Sequence, residues 1–155
     1  AVREILLPRA TITTPNRYEL GWLSGEAGGD DNRGLARAAR HLPPENVLVT
    51  SAFAEPGTIG NLLVRDDETV LATHPLVENA PSGTGDLLSA LFLGHSLDGL
   101  APEEALERSV STLAGVVSIT DSLGLDEIPL SAAQDLFVNP QQGVATIRTL
   151  SEAGR

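Results

Sequence analysis

A loop of small residues runs directly into an apolar helix at Asn79-Ala-Pro-Ser-Gly-Thr-Gly-Asp-Leu-Leu-Ser-Ala-Leu-Phe-Leu-Gly-His-Ser-Leu97. Gly83 and Gly85 allow the backbone to turn tightly, so the amides of residues 83–86 are predicted to converge at the first turn of that helix. Free N–H donors and the positive end of the helix dipole both favour an anion there, and a missing Cβ lets the anion approach closely. The stretch therefore predicts a phosphate site.

Asp86 is the acid in this stretch, and it has two interpretations. A carboxylate repels a phosphate unless it has a chemical role, which here would be to take the proton from an attacking hydroxyl group while the amides neutralise charge on the phosphoryl group. The alternative is that Asp86 is an N-cap, since aspartate is among the favoured capping residues. Spacing alone leaves both interpretations open, because Gly-x-Gly-Asp is short and common.

The composition is typical of a globular domain, with 155 residues, of which 41% are apolar and 20% charged. The net charge of −11 arises from 21 acidic and 10 basic residues, and it disfavours nucleic acid and anionic membranes as partners. The absence of cysteine suits a reducing cytoplasm. The chain has no methionine and opens on Ala1 close to a strand signal, so we expect it to be a piece of a longer protein.

The first part of the chain predicts two strands separated by helices. Ala10–Thr14, closed by Pro15, indicates a buried strand, and Asn16 begins a helix through Ser24 that ends at Gly25. Leu35–Leu42 predicts a second helix after a flexible loop, Gly28–Gly34.

Val47–Val49 follows as a continuous apolar strand typical of a parallel sheet. Thr50 and Ser51 lie at its C-terminal edge, where ligands of open α/β sheets bind.

The rest of the chain predicts a hairpin, two further helices and an edge strand. Phe53–Asn61 indicates a loop, and Leu62–Arg65 and Thr69–Thr73 indicate antiparallel strands joined by an acidic tip, Asp66–Glu68. The remaining predictions are a helix that starts at Pro102 with a core stripe at Leu106, Val110, Leu113 and Val117, a short helix capped by Ser131 that runs through Val138 and ends at Pro140, and an edge strand within Val144–Leu150.

Several segments resemble a known family of kinases. Gly83-Thr-Gly-Asp86, followed by Leu87-Leu-Ser-Ala-Leu91, resembles the signature of the ribokinase-like kinases. Other segments occur in the order found in the pyridoxal kinase branch, and they are Ile12-Thr-Thr-Pro-Asn-Arg-Tyr-Glu-Leu20, Val47-Leu-Val-Thr-Ser51, Asn61-Leu-Leu-Val64, His74-Pro-Leu-Val77 and Ala132-Ala-Gln-Asp135.

This resemblance implies an α/β fold with a predominantly parallel sheet flanked by helices and an antiparallel hairpin. Residues 1–155 would form a single α/β domain, the C-terminal ATP-binding half of such a kinase, and the N-terminal half that carries most of the acceptor site would be missing. The implied reaction is ATP-dependent phosphorylation of the 5′-hydroxymethyl group of pyridoxal, a step of vitamin B6 salvage, in a cytoplasmic enzyme that is a homodimer at full length.

The resemblance also implies the roles of particular residues. Asp86 would be the base, with Gly83, Thr84 and Gly85 as the anion cradle. Thr14, Asn16 and Glu19 would lie beside the nucleotide phosphates and their cations, Glu19 reaching Mg²⁺ through water, and Thr14 and Thr50 would be neighbours of phosphate or K⁺. Ser51 would lie near the phosphates, and His74, Pro75, Leu76 and Val77 would border the adenine and ribose.

Other interpretations stay open for these residues and for the activity. Asn16 and Glu19 could be a helix cap and a solvated acid, Thr50 and Ser51 a strand-end turn, and His74 a surface residue. The chain could instead belong to a ribokinase-like enzyme for a hydroxymethylpyrimidine or a sugar, or be an inactive nucleotide-binding fragment. The sequence has no lysine, so charge neutralisation would come from amides, cations or the missing half.

Overall fold

A computed structural model describes residues 1–26, 29–78, 80–139 and 143–150. The chain divides into two compact units. The first unit contains Ala1–Glu55, Ile59–Ala72 and the segment from Ile147 onward, and the second unit contains Pro56–Thr58 and Thr73–Thr146. Because the chain passes between the units more than once, each unit is built from segments that are distant in sequence.

A five-stranded sheet has its strands in sequence order, β1-β2-β3-β4-β5. The strands are β1 Ile12–Thr13, β2 Asn46–Ala52, β3 Thr58–Val64, β4 Thr69–Pro75 and β5 Thr146–Thr149. β1 and β2 are parallel, with Ile12 opposite Asn46, whereas β2 and β3 are antiparallel, with Val47 opposite Val64.

The sheet is mixed, which confirms the predicted α/β class and its hairpin. The connection between β1 and β2 contains two helices and is long enough for a parallel crossover. Residues 53–57, between β2 and β3, are too few for a crossover, and so are residues 65–68 between β3 and β4. Antiparallel pairing therefore occupies the middle of the sheet, and its parallel share is smaller than the sequence predicts.

Two capped helices lie between β1 and β2, α1 at Arg17–Ser24 and α2 at Asn32–Arg40. α1 starts after Asn16 and ends at Gly25, whose φ of 76° is the left-handed conformation that glycine adopts without strain, so both predicted ends are confirmed. α2 begins three residues before its predicted start because the Asp31 side chain accepts a hydrogen bond of 2.8 Å from the Gly34 N–H. Residue 28 of the predicted loop lies outside the described residues.

The core of the first unit forms where α1 and α2 cover one face of β2 and β3. Leu20 and Leu35 from the helices are buried together with Val47, Val49 and Leu62 from the strands. The alternating strand positions share a face because successive side chains point to opposite sides of a strand. This packing fixes the ends of β1 and β2 relative to the start of α1.

The first unit also begins with a π-helix at Val2–Leu6 and a 3₁₀ helix at Leu7–Arg9. The second unit contains α3 at Thr84–Leu97, α4 at Pro102–Ser122 and α5 at Gln134–Val138. α3 packs against α4, whose predicted stripe at Leu106, Val110, Leu113 and Val117 is buried. None of the helices in the described part of the chain is both long and apolar enough to cross a membrane.

Two further boundaries differ from the sequence prediction. β3 begins at Thr58, inside the predicted loop Phe53–Asn61. α5 starts after Ala133 rather than being capped by Ser131, and the predicted stop at residue 140 lies outside the described residues. The tail prediction is confirmed, because β5 is the edge strand that Val144–Leu150 indicated.

Candidate functional site

The C-terminal ends of β1 and β2 bring five predicted residues together in the first unit. Thr14 directly follows β1, and Asn16 forms an isolated parallel bridge with Thr50 near the end of β2. The Thr50 N–H donates to the Pro15 carbonyl at 2.9 Å. The strand ends and the start of α1 are therefore joined by backbone contacts, at the edge where ligands of open α/β sheets bind.

Asn16 and Glu19 form a reciprocal capping box at the start of α1. The Glu19 N–H donates to Asn16 Oδ1 at 2.9 Å, and the Asn16 N–H donates to Glu19 Oε2 at 2.9 Å. The structure thus gives Asn16 its capping role, and it holds Glu19 at a fixed, exposed position. Glu19 Oε1 takes no part in the box, so one oxygen of this exposed carboxylate is left for another ligand.

Ser51 is the one non-glycine residue in the described chain with a positive φ, which is 54°. The pairing of β2 with β3 shifts register between Val49 and Ala52, so Ser51 lies in a bulge. A non-glycine residue in this conformation costs about 1–3 kcal/mol, and such strain clusters at binding and catalytic sites. Thr50 and Ser51 lie within β2, which continues to Ala52, and not in a turn after the strand.

α3 has a different start from α1. Its N-cap is Gly83, with φ 89°, and no side chain of the N-cap residue bonds to the helix. The Leu87 N–H donates to the Gly83 carbonyl at 2.9 Å, so the amides of residues 84–86 precede the first hydrogen bond within the helix. These three donors and the helix dipole together favour an anion.

Asp86 is the third residue of α3 and its side chain is exposed. The N-cap interpretation of Asp86 is wrong, because Gly83 occupies that position. A Cβ at Gly85 would meet no atom within 4 Å, and one at Gly83 would meet only Ile128 Cδ1 at 3.9 Å. The first turn of α3 is therefore open beside an exposed carboxylate, which is the arrangement that a base beside a phosphate site requires.

His74 is buried at the end of β4, with 7% exposure, so the interpretation of His74 as a surface residue is wrong. Its Nδ1 lies 3.0 Å from the Pro75 carbonyl, to which it donates when Nδ1 carries the proton. Burial lowers the pKa of His74, and the hydrogen bond to Pro75 opposes that shift in part. His74 is thus held in a neutral form, which suits packing rather than charge neutralisation.

Residues 75–77 form an apolar segment after His74. The Leu76 N–H donates to the Gly57 carbonyl at 2.9 Å, which fixes the segment to the loop before β3. The Leu76 side chain is 49% exposed, Pro75 is exposed, and Val77 is half-buried. An exposed apolar segment on a fixed backbone offers a surface on which a flat base can rest.

The structure thus places the predicted site residues in two groups, one in each unit. The first unit gathers Thr14, Asn16, Glu19, Thr50 and Ser51, and the second unit holds His74–Val77 and Gly83–Asp86. Among the described residues, no three His, Asp or Glu side chains are placed to hold a metal ion together. Glu19 is the one acid among the five residues of the first group.

Two residues beside the first group, Asn32 and Phe53, carry no signal in the sequence that marks them as functional. The Asn32 side chain forms two hydrogen bonds with the Phe53 backbone, 21 residues away. Asp31 is a recognisable cap and could have placed Asn32 at a helix start, but its contact with Phe53 has no local signal.

Comparisons with known proteins identify relatives that match most of the chain. The profile of the phosphomethylpyrimidine kinase family matches residues 1–131. The chain is 33% identical over 152 residues to pyridoxal kinase PdxY of Leifsonia xyli, which is 95% of this chain and 54% of that protein. It is 38% identical over 145 residues to pyridoxal kinase PdxY of Rubrobacter xylanophilus, covering 90% and 50%. The chain therefore spans about half the length of these relatives.

Solved structures share the fold. Pyridoxal kinase from Leishmania donovani, in complex with ADP and pyridoxamine, has a TM-score of 0.84 at 22% identity, over 96% of this chain and 54% of that one. A putative phosphomethylpyrimidine kinase from Bacteroides thetaiotaomicron has a TM-score of 0.83 at 20% identity, over 94% and 53%. The expected ribokinase-like fold and the resemblance to pyridoxal kinases are both confirmed.

Proposed function

Because the chain belongs to the phosphomethylpyrimidine kinase family, we propose that it is the C-terminal, nucleotide-binding half of an ATP-dependent pyridoxal kinase. Two relatives above 30% identity are named pyridoxal kinases, and a structural neighbour holds ADP with a B6 vitamer. The reaction is transfer of the γ-phosphoryl group of ATP to the 5′-hydroxymethyl group of pyridoxal. A cytoplasmic location, a role in B6 salvage and a full-length homodimer belong to the same proposal.

The open start of α3 carries this proposal. The Asp86 carboxylate accepts the hydroxyl proton of the alcohol as the alcohol oxygen forms its bond to the γ-phosphorus. The bond from that phosphorus to the bridging oxygen breaks, and ADP leaves with the electron pair. The amides of Gly83, Thr84 and Gly85 and that of Asp86 donate to the phosphate oxygens, where negative charge is greatest.

The first group of residues supports the phosphates and their cations. A Mg²⁺ ion takes one or two carboxylates together with substrate phosphates and waters, and it neutralises phosphate charge when bound. The Glu19 oxygen outside the capping box suits a contact to such an ion through water, with the box holding the carboxylate in place. Thr14 and Thr50 offer neutral oxygens suited to phosphate or K⁺, and Ser51 lies beside them.

The apolar segment Pro75–Val77 would border the adenine and ribose. Its exposed side chains offer hydrophobic area, and the buried His74 precedes it at the end of β4. Leu76→Asp would weaken ADP binding, because it sets a charge against an aromatic base, whereas a nucleotide-independent role would leave the affinity unchanged.

Hydroxymethylpyrimidine phosphorylation is the second candidate function. The matching family profile and the Bacteroides thetaiotaomicron neighbour both have phosphomethylpyrimidine kinase in their descriptions. Initial rates of the full-length protein with pyridoxal, hydroxymethylpyrimidine and ribose decide between the candidates. We expect pyridoxal to be phosphorylated fastest, and a faster rate with hydroxymethylpyrimidine would transfer the assignment to that alcohol.

The 155-residue chain on its own is expected to bind nucleotide with weak or absent turnover. It spans about half the length of its relatives, and the acceptor pocket is expected to lie mainly in the other half. Calorimetric titration with ADP and a pyridoxal phosphorylation assay on the same preparation would test this. Robust turnover by these residues alone would show that the acceptor site is complete within them.

A further inference from the structure

The strained conformation of Ser51 needs support from its surroundings. A serine at φ 54° returns to an extended conformation unless neighbouring residues hold it. Hydrogen bonds to residues before the bulge, such as Thr50 N–H to Pro15 O, fix only one side of it. The side that follows, Ala52 and Phe53, is held by other contacts.

Asn32 holds the backbone directly after the bulge. Its Nδ2 donates to the Phe53 carbonyl at 2.8 Å, and its Oδ1 accepts from the Phe53 N–H at 3.0 Å. A primary amide that pairs with both polar groups of one residue replaces the partner strand that this residue lacks. Asn32 is itself fixed, because it is the first residue of α2 and follows the capping residue Asp31.

Two further contacts surround the same residue. The Arg17 guanidinium lies 4.6 Å from the centre of the Phe53 ring, which ties Phe53 to the first residue of α1. A Cβ at Gly60 would lie 2.9 Å from the Ala52 carbonyl oxygen and 3.1 Å from that of Phe53. The chain after the bulge is therefore held between α1, α2 and β3.

We propose that Asn32 is a positioning residue for the nucleotide site, acting through Phe53 on the bulge at Thr50–Ser51. The inference rests on the proposed function, because it concerns how the phosphate-side residues of that site are held. This role requires no contact between Asn32 and the nucleotide. Its two hydrogen bonds set the direction in which the chain leaves Ser51, and that direction sets the positive φ of Ser51.

The test compares substitutions at Asn32 with one at a matched asparagine. Asn32→Ala removes both hydrogen bonds, and Asn32→Asp keeps only the acceptor for the Phe53 N–H. Asn46→Ala is the control, because Asn46 begins the same strand at its far end and its Oδ1 is buried without a hydrogen-bond partner. The dissociation constant of ADP with Mg²⁺ is measured by calorimetry on the full-length protein, alongside unfolding in urea.

We expect Asn32→Ala to raise the dissociation constant of ADP about tenfold, the effect of about one lost hydrogen bond, with Asn32→Asp intermediate. Asn46→Ala should leave it unchanged. In a Ser51→Gly background the effect of Asn32→Ala should shrink to about threefold or less, because glycine adopts the positive φ without support. An equal effect in both backgrounds would overturn the positioning role and leave Asn32 a general structural residue.

The backbone at Ser51 provides a readout that does not depend on nucleotide. A positive φ brings the amide and α hydrogens of one residue close together, which gives a strong NOE between them in the parent. We expect this NOE to weaken in Asn32→Ala and to persist in Asn46→Ala. If the parent fails to bind ADP, the proposed function fails. A weakened NOE in Asn32→Ala would still show that Asn32 stabilises the bulge. Persistence of the NOE in Asn32→Ala would refute the inference, whatever the affinity for nucleotide.

Discussion

The starts of α1 and α3 solve the same physical problem in opposite ways. Both helices leave N–H groups without acceptors in their first turn. At α1, Asn16 and Glu19 close the turn with a reciprocal pair of 2.9 Å hydrogen bonds. At α3, Gly83 is the N-cap and has no side chain to offer. The comparison teaches that a helix start left open by its own sequence is the better candidate for an anion site.

The largest expected effect concerns the acid beside the open start. Asp86→Asn in the full-length protein should lower kcat for pyridoxal by about 10²–10⁴-fold with little change in ATP binding, because a base is lost and the shape is kept. Asp98→Asn is the control, since Asp98 is an exposed acid at the other end of α3. Steady-state kinetics on both variants provide the measurement. Equal kcat values for Asp86→Asn and the parent would show that Asp86 is not the base.

Substitutions at two glycines test separately the backbone conformation of the open start of α3 and the access of a ligand to it. Gly83→Ala should lower the free energy of unfolding by about 1–2 kcal/mol, because alanine is strained at φ 89°. Gly85→Ala should leave stability unchanged or slightly raised, since its Cβ meets no protein atom, yet weaken ADP binding about tenfold where a phosphate would approach. Urea unfolding and calorimetry measure the two quantities. Full ADP affinity in Gly85→Ala would place the phosphate away from this turn.

A substitution in the capping box at the start of α1 should change the stability of the protein. Asn16→Ala removes the acceptor for the Glu19 N–H and should cost about 1 kcal/mol in thermal or urea unfolding, whereas Asn16→Asp should retain most of the cap. Ser82→Ala, at the residue before Gly83, is the matched change at the open start and should cost nothing measurable. Similar losses for Asn16→Ala and Ser82→Ala would show that the two starts are capped alike.

The smallest expected effect is a pH dependence of the free energy of unfolding, which arises from His74 in the second unit. Burial lowers the pKa of His74 in the folded state below the value of about 6.5 in the unfolded chain. Between these values the unfolded chain binds more protons, so the free energy of unfolding rises with pH up to about 6.5 and then levels off. His74→Gln should flatten this slope in urea titrations from acid to neutral pH. His95, whose pKa burial also lowers, should leave a residual slope of the same sign.

Local signals explain which elements the sequence predicts well. α1 matches its prediction at both ends because its N-cap, Asn16, and its C-cap, Gly25, each act within one turn of the helix. The stripe on α4 is likewise a local pattern, and its burial is confirmed. Each of these features depends on residues close together in the chain, which a sequence displays directly.

Features set by distant contacts were not predictable. Gly60 looked like a loop residue, but it lies within β3, where only glycine lets the Ala52 carbonyl approach so closely. The positive φ of Ser51 occurs at a shift in the register between β2 and β3, and the burial of His74 has no signal in the local sequence. The resemblance to kinases named the candidate residues, yet the support that Asn32 gives to Phe53 became visible only in three dimensions.

Under the proposed function, the uncapped start of α3 would link nucleotide supply to the lifetime of the protein. A ligand that accepts hydrogen bonds from residues 84–86 binds the folded chain and not the unfolded one. A higher concentration of that ligand therefore raises the free energy of unfolding by mass action. When that ligand is depleted, the first turn frays more often and a larger fraction of molecules opens to proteases. When it is bound, the phosphate would serve both as part of the substrate and as the helix cap that α3 lacks.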